Sequence, residues 1–419
     1  MIMGKNIYVY ETWSEAQPLL MGRMSAEWSG RREVFSFDYD EAWLSGHVGR
    51  CFLDPALRLY QGGQTAQMSR RQTGLFTDSC PDHWGRMLMN RHELIVADRE
   101  GRKPRKLLES DWLLGVCDEV RMGALRFSLA PGGPFLADDP SNAVPPWTAL
   151  RELEAASRAF ERDEDHLNER WLRQLLAPGA ALGGARPKAA VKGPDGSVWI
   201  AKFPSKHDRW DAGAWEMVTH ILAAACDLHV PEARCERCSY DGATYLTKRF
   251  DRKGERRIHF ASAMALLGRN MDDETSSYLE LADFIRAHGA RPGEDLPELW
   301  KRIVFSMAVS NTDDHLKNHG FLLEEDGWRL SPMYDVNPDP GGQMLSMNVS
   351  LYDARIDMDL AIEVAPFFGL EDAGEARQTA LRILKQVKQL WRPAADRCGI
   401  PRDAQKVMAH AFRAAESWT

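Results

Sequence analysis

Ten residues in the last third of the chain gather most of the groups that acid–base and metal chemistry uses. The segment "SNTDDHLKNH", residues 310–319, holds Asp313, Asp314, His315, Lys317, Asn318 and His319. Asp313 and Asn318 stand five apart. That spacing suits phosphoryl transfer: the Asp orients an acceptor hydroxyl and takes its proton, and the Asn offers its carbonyl oxygen to magnesium. Magnesium takes hard oxygen ligands and needs a further carboxylate, and "LSPMYDVNP" supplies Asp335 a little downstream. Two other readings stand beside this one. Asp, Asn and Thr at a helix end serve as caps. His315 and His319, four apart, also match one helix face of a metal hydrolase. The Glu that follows the first His in such sites is absent, however, and Gly320 argues against a continuing helix.

A second group lies upstream. In "SVWIAKFP" the alternation of a strand puts Val198, Ile200 and Lys202 on one face. An ammonium beside apolar neighbours needs a counter-charge or a route to solvent. Glu216, inside the otherwise apolar "WEMVTHILAAAC", offers the counter-charge. A strand Lys paired with a helix Glu, with ATP phosphates on the Lys, is the arrangement of protein kinases. Before that strand, "GAALGGARPK" is rich in glycine, and such a turn lets backbone amides approach phosphates. It is not a Walker A loop, because no Lys is followed by Ser or Thr after the last glycine; on glycines alone a flexible loop fits as well. Lys202, Glu216, Asp313, Asn318 and Asp335, in that order, are far more specific together than any one of them.

Elements must hold these residues. Leu299, Ile303 and Met307 form an apolar helical stripe leading into residue 310. "GPDG" between two β-prone runs predicts a hairpin whose second strand carries Lys202. Residues 211–226 read as a helix, "ATYLTKRF" as a strand, and "GFLL-EEDG-WRL" as a second hairpin. The amino-terminal region opens with strand-like "NIYVYETW", "PLLMGRM" and "EVFSFDY", followed by helical patterns in "CPDHWGRMLMNRHELIVADREG" and "KLLESDWLLGV". A Pro/Gly-rich connection, "APGGPFLADDPSNAVPP", precedes a helix expected over 147–176. Beyond about residue 258 the pattern is mostly helical. The expected division is a β-rich subdomain over 1–120, a small mixed lobe over 121–257 and a helical lobe over 258–419.

Composition narrows the classes. With 53 basic and 61 acidic residues the net charge is −8, which argues against free-standing nucleic-acid binding. The basic runs "GRKPRK" and "KRFDRKGERR" read as solvated surface, with a DNA-backbone or partner contact as the alternative. No stretch reaches the roughly 18 apolar residues of a spanning helix, and the start lacks a secretory pattern. Seven cysteines in 419 residues do not suggest a disulfide scaffold. A cytoplasmic protein with reduced thiols is expected. Cys235 and Cys238 supply only half a zinc site and read as buried structural thiols, and Trp84 and Trp391 as core.

Together these segments carry a resemblance. The chain resembles the HipA toxin kinases of bacterial toxin–antitoxin systems in "LFTDSCPDHWGRMLMNR", "GGARPKAAV", "WIAKFPS", "YLTKRFDR", "SNTDDHLKNH" and "LSPMYDVNP". The resemblance implies an α+β fold: a bilobal, protein-kinase-like core similar to phosphatidylinositol 3/4-kinases, with an N-terminal β-rich subdomain and a large helical C-terminal lobe. It implies ATP and Mg2+, phosphoryl transfer to a protein serine or threonine, and growth arrest, with an aminoacyl-tRNA synthetase as the target of some relatives. It also implies a HipB-like helix-turn-helix antitoxin as partner, operator DNA reached through that antitoxin, and no membrane. Carried over by position, Asp313 would be the catalytic base and Asn318 and Asp335 the magnesium ligands. Lys202 would meet the phosphates. Gly183, Gly184, Lys188 and Glu216, the hinge residues Lys248 and Phe250, and His315 would complete the nucleotide site. Asp314 is one residue too close to Asn318 for the base role and is set behind it. One departure concerns the glycine loop, where family members often carry a serine whose autophosphorylation switches the enzyme off. Ala181 stands there, preceded by Ala180. A small-molecule phosphotransferase and a degenerate kinase kept as an antitoxin-binding co-repressor remain the alternatives.

Overall fold

The structure, a computed structural model, describes residues 4–418 except 16, 31, 48–51, 67–73, 137–143, 163–171, 173–174, 177–178, 180–183, 271–272 and 274. The chain divides into two compact units. The first comprises Met1–Lys206, Asp251–Ala261 and Gly268–Asn270; the second comprises His207–Phe250, Ser262–Leu267 and Met271–Thr419.

The first unit is built on a five-stranded antiparallel sheet. Its order is Gln64–Ala66, Arg32–Tyr39, Leu19–Ser29, Lys5–Glu11, Leu125–Ser128. Alternation in "EVFSFDY" sends Phe35, Phe37 and Tyr39 inward, where Ile7, Val9, Met24 and Phe127 join them in the core. The His83–Arg99 helix buries Trp84, Leu88 and Met89. The helix expected over 147–176 runs from Leu150 to Glu161, with Leu150, Leu153 and Ala156 buried as the stripe required; much of the remainder lies outside the described residues. Lys188–Lys192 and Val198–Lys202 form the expected hairpin, closed by the Gly193 N–H donating to Ser197 O at 2.8 Å.

The run "GRKPRK" is mostly exposed, as a solvated face requires, whereas "KRFDRKGERR" departs from one, with Arg249 buried and Arg252 and Arg257 half-buried. Arg252 donates to Asp251 Oδ2 at 2.8 Å and to Arg121 O at 2.6 Å. Arg257 and Arg126 converge on the buried Asp118 at 2.7 and 2.6 Å. In "GRKPRK", Arg102 meets Glu93 at 2.5 Å and Arg105 meets Asp111 at 2.7 Å. These guanidiniums face carboxylates of the same chain.

The second unit is mainly helical. The Ala212–Ala225 helix starts where Asp211 accepts from the Ala214 N–H at 3.1 Å. Ala233–Glu236 and Thr244–Lys248 pair antiparallel. The Pro292–Ala308 helix buries Leu299, Ile303 and Met307 completely, against the long Ala373–Arg397 helix. Trp391, on that long helix, is fully buried and stacks on Phe412 at 4.6 Å. Gly320–Glu324 and Gly327–Leu330 form the second hairpin. Among the described residues no helix is long and apolar enough to cross a membrane. Cys235 and Cys238 form no disulfide and are half-buried rather than buried, and no group of three or more His, Cys, Asp or Glu that could hold a metal occurs among the described residues.

Candidate active site

The Pro292–Ala308 helix delivers the chain into Ser310, which turns left-handed at φ 50°. The Asn311 N–H then reaches back to Ser306 O at 2.8 Å. A single 3-10 turn follows over Leu316–Asn318, with an extended His315 at its start. Neither Asp313 nor Asp314 caps a helix, so the capping reading does not hold here. Nor do His315 and His319 share a helix face. Asn318 turns its Nδ2 to Asp313 O at 3.0 Å. The carboxamide is thereby oriented, and its carbonyl oxygen is the atom left to meet a cation.

Two adjacent carboxylates have opposite surroundings. Asp313 is exposed and Asp314 is buried. The Asp313 carboxyl is raised above its ordinary value, chiefly by lost hydration; His315 opposes the rise, while Asp335 and Asp314 add to it. Asp314 also loses hydration, but the charge and hydrogen bond of His319 and the hydroxyl of Tyr278 outweigh that loss and hold it below the usual range. Tyr278 Oη donates to Asp314 Oδ2 at 2.5 Å, Ser306 Oγ approaches the same oxygen at 3.2 Å, and His319 Nε2 lies 3.0 Å from Oδ1.

Asp335 also occupies the left-handed region, at φ 59°. Its neighbours tie it to the loop just described: Tyr334 Oη donates to Lys317 O at 2.6 Å, and the Asn337 N–H donates to Asn311 Oδ1 at 3.2 Å. Thr219 Oγ1, on the Ala212–Ala225 helix, donates to Val336 O at 2.6 Å. A small pocket is lined by Glu216, Thr219, His220, Tyr245, Tyr334 and Asp335, among others. Burial, then the Glu216 charge, raises the Tyr245 phenol well above its ordinary value. Phe250 packs on Tyr334 with ring centroids 5.7 Å apart. Lys248 Nζ lies 3.5 Å from Glu232 Oε2.

In the first unit, Lys188 and Lys202 stand directly opposite each other across the hairpin, and both are buried, at 6% and 8% exposure. Two cations in direct register disfavour each other. A Cβ added to Gly184 (φ 86°) would lie 2.8 Å from Lys188 Nζ. The Gly184 N–H donates to Asp82 Oδ2 at 2.8 Å, and Gly184 O accepts from the Trp84 N–H at 3.1 Å. The Trp84 indole N–H donates to Lys188 O at 2.9 Å. Gly183, Ala180 and Ala181 lie outside the described residues. Lys202 belongs to the first unit and Glu216 to the second.

Residues 180–418, more than half of the chain, match the HipA-like C-terminal domain. The chain belongs to this family. Over 148 residues it is 29% identical to "Putative kinase Y4mE" of Sinorhizobium fredii (strain NBRC 101917 / NGR234), a match covering 33% of each chain; the matched stretch thus spans about a third of that relative. A chain of the solved Shewanella oneidensis MR-1 complex of toxin–antitoxin proteins HipA and HipB with operator DNA is similar over 98% of this chain and 97% of its own. The TM-score is 0.67 at 15% identity. That likeness shows the fold: an α+β, HipA-like architecture, as the resemblance implied.

Two participants in this HipA-like chain escaped the sequence reading. Tyr278 looks like any core aromatic at a helix start. Asp82 reads as a helix cap, and its contact with Gly184 spans 102 residues.

Proposed function

We propose that this chain is an ATP- and magnesium-dependent serine/threonine protein kinase, the toxin of a HipA–HipB type pair. The observation that carries the reading is the turn at 313–318. Asn318 is fixed on the Asp313 carbonyl, and Tyr334 ties the segment of Asp335 to Lys317. One structure then offers an exposed carboxylate and two hard oxygen donors, the donor set that magnesium takes alongside substrate phosphates. Asp313 orients the acceptor hydroxyl and takes its proton, and a raised carboxyl suits that role better than an ordinary one. Asn318 and Asp335 would hold the metal, which supplies charge neutralisation between phosphates when bound. The buried, opposed Lys188 and Lys202 suit the anionic phosphates of ATP, and Gly184 gives Lys188 room. Glu216, Lys248, Phe250, His315 and Gly183 keep the nucleotide-side roles that the family likeness suggests, and the three-part division at residues 120 and 257 belongs to the same reading.

The biological setting rests on analogy. The Shewanella complex contains HipA, HipB and operator DNA, and we carry over a HipB-like antitoxin, DNA contact through it, and a cytoplasmic protein acceptor whose phosphorylation arrests growth. The test is incubation of the purified protein and of its Asp313→Asn variant with magnesium-ATP and host extract, followed by phosphopeptide mapping. New phosphoserine or phosphothreonine should appear with the first protein only. Equal labelling with both would refute the assignment, and phosphate arriving on small molecules alone would favour the small-molecule phosphotransferase.

A further inference from the structure

Asp314 is the most heavily engaged carboxylate beside the proposed catalytic turn. It is 4% exposed, and its three partners come from three separate elements. Tyr278 is the first residue of the Tyr278–His288 helix. Ser306 lies in the last turn of the Pro292–Ala308 helix. His319 stands immediately before the strand that begins at Gly320, and its own carbonyl accepts from the Ala263 N–H at 2.7 Å. A buried carboxylate is costly unless its lone pairs find donors; here Oδ2 accepts from Tyr278 and Ser306 at 2.5 and 3.2 Å, and the His319 ring stands 3.0 Å from Oδ1.

The consequence lies in the chain neighbours. Asp313 and Asp314 point to opposite surroundings, one exposed and one buried. A chain whose residue 314 is pinned inward presents residue 313 outward, and pinning His319 fixes the backbone next to Asn318. We propose that Tyr278, Asp314 and His319 form a positioning triad that sets the Asp313 carboxylate and the Asn318 carboxamide for phosphoryl transfer. This rests on the kinase reading and deepens it; none of the three touches the substrate.

The test measures two quantities on each full-length variant: ADP production from magnesium-ATP at saturation, and ATP affinity by isothermal titration. Tyr278→Phe removes one oxygen and Asp314→Asn removes one charge. Each should lower the saturating rate by about 10- to 100-fold, the usual cost of losing an outer partner of a reactive group, with ATP affinity changed by less than about twofold. His319→Gln, which can still offer an N–H to Asp314, should retain far more rate than His319→Ala. Unchanged rates in Tyr278→Phe overturn the triad. So does a rate loss matched by an equal loss of ATP affinity, because that marks general damage to the fold. Should Asp314→Asn fail to fold, Tyr278→Phe decides alone. Asp313→Asn is assayed in parallel: if it keeps its rate, the kinase reading falls and the triad with it. If Asp313→Asn is inactive while Tyr278→Phe is not, the triad alone falls.

Discussion

The turn at 310–319 and the turn at 184–188 each present polar groups at the end of a rigid support, yet they are secured by different means. In the first, side chains hold side chains and nearby carbonyls: Asp314 by Tyr278, Ser306 and His319, and Asn318 on Asp313 O. In the second, the backbone is held from far away in sequence, with Gly184 and Lys188 fastened by Asp82 and Trp84. A turn whose own side chains are the groups that face outward writes them into a short motif, even where some of their supports come from afar. A turn fastened through its backbone leaves only glycines to read.

The largest effect expected from this contrast is at Asp313. Asp313→Asn should lower turnover by roughly 10²- to 10⁴-fold, the range for loss of a general base, while isothermal titration finds ATP affinity intact. Loss of ATP binding in that variant would erase the distinction between a reacting turn and a binding turn. Asp335→Ala and Asn318→Ala come next. Each removes an oxygen ligand, so the gain in ATP affinity on adding magnesium should shrink; a gain equal to that of the parent protein would count against a metal role.

A smaller effect is expected at the glycine turn. Asp82→Ala removes the acceptor of the Gly184 N–H, a bond worth about 0.5–1.5 kcal/mol. ATP affinity should fall by about two- to tenfold with the saturating rate preserved. Asp82→Asn keeps both an acceptor oxygen and a good helix cap and should stay near the parent value. A rate defect with unchanged affinity would reverse the proposed division of labour. The mildest effect is on the pH profile. The Asp313 carboxyl is raised above its ordinary value of 3.8, so this base becomes protonated, and inactive, at a higher pH than a free Asp. The acid limb of kcat/KM, which reports the free protein, should therefore lie above 3.8, and a limb at or below that value would assign it to another group.

Much of the geometry of the proposed catalytic turn was legible in the sequence because most of its parts are local. The stripe of Leu299, Ile303 and Met307 announced the supporting helix, and the five-residue spacing of Asp313 and Asn318 marked two residues that the turn does bring together. Lys202 was legible from alternation, but its partner across the hairpin was not: pairing with Lys188 depends on register, which the turn fixes only in three dimensions. Tyr278 and Asp82 were illegible for a related reason. Their contacts span 36 and 102 residues, and nothing in local periodicity distinguishes a core tyrosine from one that holds a carboxylate. The basic run at 248–257 misled because charge in a sequence looks solvated until its acidic partners, here Asp118 and Asp251, are brought alongside.

Thr312 stands immediately before Asp313, with its hydroxyl on Asp339 Oδ2 at 2.9 Å and its carbonyl accepting from Ser346 Oγ at 2.6 Å. Gly342 passes so close that a Cβ there would come within 2.2 Å of Thr312 Cγ2. For descent this means that position 342 is closed to drift while its neighbours are open. Exposed Gln343 and Met344 can change at little cost, but any side chain at 342 displaces the residue that leads into the proposed base. In a lineage diverging from this sequence, replacement of that one glycine would mark copies whose turn had begun to decay before their fold did.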